Sequence, residues 1–107
     1  MLFNLFRRAN INQGVEDYKN TKNAVLVDVR TKEEYEEGHI PNSINVDLYE
    51  IEKIQNVITD KTVPLFVYCH SGARSNRATN ILRKLGYENV SDVGGIASYK
   101  GEIIKGA

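Results

Sequence analysis

Apolar residues in this chain come in short runs separated by stretches with helical spacing. Ala24, Val25, Leu26 and Val27 form an uninterrupted run ending at Asp28, the pattern of a parallel strand buried on both faces. Thr31 followed by Glu34 is a capping box, so a helix is expected over residues 32–37, stopped by Gly38 in the left-handed region and by Pro41 beyond it. Residues 43–46 supply another strand. Asp47 and Glu50 repeat the capping signature ahead of Leu48, Ile51, Ile54 and Ile58, which share one helical face. Asp60 and Lys61 mark the turn into a strand over residues 64–68. A helix beginning at Arg74 or Ser75 follows, lined by Ala78, Ile81, Leu82 and Leu85, with Arg83 and Lys84 at its negative end and Gly86 after it. Residues 90–93 read as the last strand, Gly94 and Gly95 as a turn that lets the backbone pass close to another segment, and Ile96, Tyr99 and Ile103 as a closing helical face. At the other end, Ile11 and Asn12 are expected to close a short first strand and cap a helix over residues 13–20, with Val15 and Tyr18 on one face. Strands alternating with helices predict an α/β fold, a mostly parallel sheet covered on both faces.

The candidate chemistry sits at one strand-to-helix turn. Cys69, the only cysteine, follows Leu65, Phe66, Val67 and Tyr68 and is succeeded by His70, Ser71, Gly72, Ala73 and Arg74. In an α/β sheet this is where ligands bind. The loop amides around Gly72, the positive end of the following helix and the Arg74 cation all favour a thiolate, the nucleophilic form of cysteine. The competing reading is a buried cysteine serving as a small hydrophobe. The Gly, Ser and Arg neighbours favour an anion cradle over a core.

Composition narrows the options. The chain has 107 residues, 41% hydrophobic and 26% charged, with 14 basic and 14 acidic side chains. That describes one ordinary globular domain without a charge bias toward nucleic acid or membrane. A lone cysteine forms no internal disulfide, and His39, Cys69 and His70 lack the spacing of a zinc site, so no metal or cofactor is expected. The apolar Leu2, Phe3, Leu5 and Phe6 are broken by Asn4 and followed by Arg7 and Arg8, unlike a signal peptide, and the chain reads as cytoplasmic. Residues 1–10 are read as an N-terminal extension and residues 11–107 as the domain.

The stretches VLVDVRTKEEYEEGHIPNSINV (25–46), VYCHSGARS (67–75) and GGIASY (94–99), in this order and spacing, resemble the rhodanese family in its single-domain form. The resemblance implies a rhodanese-like α/β domain with a five-stranded mostly parallel sheet. It also implies an active-site loop whose first residue, here Cys69, carries a persulfide, with Arg74 closing the loop and His70, Ser71, Gly72 and Ala73 supplying amides. Two positions depart from the family: Tyr99 stands where many relatives have tryptophan, and Asn42 where glycine is common. Neither bears on the chemistry.

The activity so implied is thiosulfate sulfurtransfer. The Cys69 thiolate attacks the outer sulfur of thiosulfate or a similar donor, sulfite leaves, and cyanide or a thiol, including a thiol-bearing protein, removes the sulfur in a second step. Such an exchange is ping-pong. His70, Ser71, Gly72, Ala73, Arg74 and Ser75 are the candidate donor-binding residues, because a dianion beside a thiolate needs converging N–H groups and a cation. Asp28 and Arg30 are expected to brace the loop as an ion pair, a structural role before a chemical one. His39 is expected to fix its turn. His70 reads equally as an anion-attracting or a solvent-facing side chain, Ser75 as an anion ligand or a helix cap, and Arg77 as an ordinary surface arginine. The rivals are a non-catalytic rhodanese-like binding module, a redox sensor, and a cysteine phosphatase or arsenate reductase. The last two use Cys-x5-Arg loops, whereas Arg74 falls one residue short and Ser75 occupies that position.

Overall fold

The computed structural model describes residues 9–107, so the extension expected over residues 1–10 lies, except for Ala9 and Asn10, outside the described residues. Helix α1 spans Ile11–Lys19, and its cap is Asn10, whose Oδ1 accepts the Asn12 N–H at 3.0 Å. No strand closes at Ile11, contrary to expectation: Ile11 is already helical and buried, and the side chain that satisfies the first amides lies one residue before it. Strand β1 is Val25–Asp28, α2 is Lys32–Glu37, β2 is Ile44–Asn45, β3 is Leu65–Cys69, α3 is Ala73–Lys84 and β4 is Val90–Gly95. Between β2 and β3 runs a 3-10 helix, Leu48–Asn56, interrupted at Glu50. Asp47 caps it as expected, but Glu50 pairs with Lys53 rather than completing a capping box.

The sheet has four strands among the described residues, in the order β2-β1-β3-β4, all parallel. Alternation along the central strands builds two cores. On one face Val27, Leu65, Val67 and Cys69 pack with Leu48, Ile51 and Ile54 of the 3-10 helix and with Ala78 and Leu82 of α3. On the other, Leu26, Phe66 and Tyr68 pack with Ile11 and Val15 of α1, Ile40 and Val93. The pairing of β3 with β4 skips Val93, so that Val67 faces Asp92 and Tyr68 faces Gly94. This bulge sends Val93 against Gly14 of α1, where any Cβ would collide with it.

Several terminations differ from expectation. The Thr31–Glu34 capping box forms, but Gly38 ends α2 with φ 165°, extended backbone rather than left-handed. Gly94 and Gly95 are not a free turn; they pair with Tyr68 and Cys69 at the end of β4. The closing helical face reduces to a 3-10 turn, Ile96–Ser98, because Ile104 instead forms an antiparallel bridge with His39.

Candidate active site

The C-terminal ends of β1, β3 and β4 meet at one edge of the sheet, and Cys69 is the last residue of the central one. The Cys69 side chain is 1% exposed, beneath the loop that follows it. Gly72, with φ +106°, turns the chain back so that its N–H donates to Sγ at 3.0 Å. Only glycine adopts that dihedral without strain. The same residue is the N-cap of α3, which starts at Ala73, earlier than Arg74 or Ser75, and has no side-chain cap. Ser75 does not cap; it is wholly buried, with its Oγ 3.6 Å from the sulfur. The first amides of α3 have no carbonyl within the helix to bond, which leaves them to the solvent side of the loop.

His70, Ser71 and Ala73 are exposed, with His70 and Ser71 lining the cleft beside the loop. The His70 carbonyl accepts the Ala97 N–H at 3.0 Å, and Gly95 passes so close beneath His70 and Ser71 that no Cβ fits there. A cleft of about 890 Å³ opens beside the loop, with His70, Ser71, Gly72, Asn76, Gly94 and Gly95 on its wall and Lys100 at its rim.

Arg74 does not point into this loop. Its Nη1 and Nη2 donate to Glu34 Oε1 and Oε2 at 2.6 and 3.0 Å, a bidentate pair with both side chains 31% exposed. Those hydrogen bonds hold the Glu34 carboxyl down at about 2 and strengthen the Arg74 proton in turn. Glu34 also accepts the Thr31 N–H, so one carboxylate caps α2 and ties it to the loop. Its capping role was readable from Thr31; the second was not, since Arg74 lies 40 residues away.

Asp28 and Arg30 do form an ion pair, at 2.7 Å, with the side chains 0% and 6% exposed. The Arg30 Nη2 goes on to the Gly38 carbonyl at 2.7 Å, and its guanidinium stacks over Tyr68 at 5.9 Å. Burial opposes the Arg30 charge, and the hydrogen bonds and charge of Asp28 outweigh it. The pair lies against Tyr68, the residue before Cys69, and Arg30 lines the same shallow hollow as His70. His39 stacks on Tyr35 at 3.7 Å, with its Nδ1 2.8 Å from the Tyr35 carbonyl, fixing the turn as expected. Arg77 is exposed. Two residues outside the candidate set lie against the loop: Gly95, read as part of a turn that lets backbone pass close and found directly beneath His70 and Ser71, and Asp92, whose Oδ1 lies 2.7 Å from Ser75 Oγ. No local pattern marks Asp92, because only the β3–β4 register brings it to α3. Among the described residues no cluster of His, Cys, Asp or Glu is arranged to hold a metal, and no helix is long and apolar enough to cross a membrane.

The rhodanese-like domain family model matches residues 12–102. The chain is 36% identical over 81 residues to the thiosulfate sulfurtransferase PspE of Escherichia coli (strain K12), covering 75% of this chain and 78% of that protein. It is 37% identical over 90 residues to the adenylyltransferase and sulfurtransferase uba4 of Ogataea parapolymorpha, 83% of this chain but only 23% of that protein. Among solved structures, a rhodanese with anions from E. coli superposes with a TM-score of 0.72 at 34% identity, covering 78% of this chain and 99% of the other.

Proposed function

The chain belongs to the rhodanese-like domain family, and on that premise we propose that it transfers a sulfane sulfur from thiosulfate or a similar donor to cyanide or a thiol through a persulfide on Cys69. The observation that carries this reading is the Gly72 N–H directed at Sγ at 3.0 Å, at the start of α3 and under the wall of an 890 Å³ cleft. A sulfur so placed receives the positive end of a helix and a converging amide, the environment that favours a thiolate and later an anionic outer sulfur. Attack of the Cys69 thiolate on the outer sulfur of thiosulfate forms an S–S bond to Cys69 and breaks the donor S–S bond, releasing sulfite. Attack by the acceptor on the outer sulfur returns the Cys69 thiolate.

The sulfonate end of the donor is received by the amides of the loop, with His70 and Lys100 as the basic side chains lining the cleft. Arg74 supplies its charge from the rim, partly offset by Glu34, and sets the width of the loop by holding its end to α2. Asp28 and Arg30 support the site from below through Tyr68. A lone cysteine held reduced suits a cytoplasmic setting, in which a thiol protein is a fitting acceptor.

The test is intact mass after thiosulfate treatment, with Cys69→Ser alongside and cyanide added afterwards. The expected result is a gain of one sulfur atom that requires Cys69 and vanishes with cyanide. A reactive thiol that takes up no sulfur overturns the reading in favour of a binding or sensing module.

A further inference from the structure

We propose that Asp92 is a positioning residue for the chemistry at Cys69: by holding the hydrogen of the buried Ser75 hydroxyl, it makes that hydroxyl present a lone pair, not a donor, to the sulfur. The inference rests on the reading of Cys69 as the nucleophile.

A serine hydroxyl has one hydrogen and two lone pairs. Ser75 is 0% exposed, so its partners are those the fold provides. Within reach of Oγ are Asp92 Oδ1 at 2.7 Å, the Gly72 carbonyl at 3.1 Å, the Gly94 carbonyl at 3.5 Å and Cys69 Sγ at 3.6 Å. The carboxylate is both the nearest acceptor and a charged one, and charge-assisted bonds are about twice as strong as neutral ones. The hydrogen therefore goes to Asp92. What remains toward the sulfur is oxygen lone pair, which accepts from a thiol S–H and repels a thiolate. On its other side the same sulfur meets the Gly72 N–H, which favours the thiolate. Cys69 thus sits between two opposed influences, and Asp92 controls one of them.

The carboxylate is held in place for this task. Its Oδ1 also accepts the Gly94 N–H at 3.0 Å, and the bulge anchors the next residue, Val93, in the opposite core. With that acceptor weakened, the hydroxyl hydrogen is divided among the Gly72 and Gly94 carbonyls and the sulfur, and the share that reaches the sulfur raises its thiolate character. Since oxidation of cysteine follows thiolate character, the arrangement restrains the resting thiol from over-oxidation.

Among the described residues, the other charged and titratable groups about the sulfur are Arg74 paired with Glu34, Asp28 paired with Arg30 across the sheet, and His70 on the loop. Asp17 of α1 lines the same shallow hollow as Asp92, and Lys100 the adjoining cleft. None of these side chains hydrogen-bonds to Ser75 or Asp92, so Asp92→Asn leaves them in place.

The experiment is the rate of iodoacetamide alkylation of Cys69 from pH 5 to 9, in the full chain without sulfur donor, for wild type, Asp92→Asn, Ser75→Ala and the double variant. Asp92→Asn is expected to alkylate about threefold or more faster at pH 6.5, its profile displaced to lower pH by about half a unit. With Ser75→Ala present, the same change at Asp92 should alter the rate less than about 1.5-fold, because its intermediary is gone. An equal acceleration in both backgrounds would mean that the Asp92 charge acts through space, and no acceleration in either would mean that the hydroxyl does not turn; each overturns the proposal. Should either variant fail to fold by circular dichroism, Asp92→Ala and Ser75→Gly carry the same expectations. Mass gain with thiosulfate is read separately, so a chain that takes up no sulfur yet shows this coupling refutes the sulfurtransferase reading alone.

Discussion

Two arginine–carboxylate pairs flank the turn that follows Cys69, and they are built for different ends. Asp28 and Arg30 lie two residues apart at the end of β1, almost wholly buried, and Arg30 spends a further donor on the Gly38 carbonyl. Glu34 and Arg74 are 40 residues apart and nearly one-third exposed, and they join α2 to the first turn of α3, where the loop over Cys69 ends. The buried pair is surrounded by its own partners: the Arg30 N–H also reaches Asp28 Oδ1, and Asn45 bonds the Asp28 and Arg30 carbonyls. The rim pair has water on one side. Losing half of the first strands a charge in the core, whereas losing half of the second leaves a charge that water solvates. The first pair therefore maintains the fold under the site, and the second adjusts the site itself.

The largest expected effect of breaking this contrast is at Arg30. Arg30→Met should cost about 3–5 kcal/mol, read as a lower midpoint in urea unfolding, by leaving Asp28 buried and unpaired. Adding Asp28→Leu should recover part of that loss. At the rim, Glu34→Gln should cost at most about 1 kcal/mol in the same melts. It should nevertheless change the KM for thiosulfate several-fold, because Arg74 is released from α2. If Glu34→Gln proved as destabilising as Arg30→Met, the division between the two pairs would fail.

Acid sharpens the same distinction. The Glu34 carboxyl is held at about 2, below the ~4.3 of an unfolded chain, so its contribution is complete above roughly pH 4.5 and is lost as pH falls toward 2. Wild type should lose stability relative to Glu34→Gln across that window, in urea melts taken at pH 5, 4 and 3. The smallest effect is expected at Lys100, which lines the cleft without an ion-pair partner among the described residues. Lys100→Ala should raise the thiosulfate KM two- to threefold at low ionic strength and hardly at all at 0.5 M salt, where surface charges are screened.

Most of the fold was legible because its signals are local. The unbroken run at Val25 to Val27, the Thr31–Glu34 box and the apolar spacing of Ala78 and Leu82 each name an element without reference to anything distant. Cys69 and the tight turn at Gly72 were legible for the same reason. What the sequence hid is pairwise and long-range. Arg74 reads as a cation facing the sulfur until Glu34 is seen to take both its nitrogens. Asp92 reads as an ordinary strand residue until the bulge at Val93 fixes it beside Ser75. The expected first strand failed on a cap: Asn10 accepts amides from residues 12 and 13, so the helix begins before the polar pattern that suggested it. The expected closing helix failed because Ile104 found a strand partner in His39.

The bond from the Ala97 N–H to the His70 carbonyl links the loop over Cys69 to the 3-10 turn after β4, while Gly95 packs directly beneath Ser71. In the language of native-state hydrogen exchange, these segments form one opening unit. With the turn closed the loop is held by this bond, so the amides of Gly72 and Ala97 should exchange with a common opening free energy despite lying in different elements. Access to the sulfur is then expected to follow how often the 3-10 turn after β4 loosens, and a substitution that weakens the Ala97–His70 bond should change how often Cys69 is uncovered.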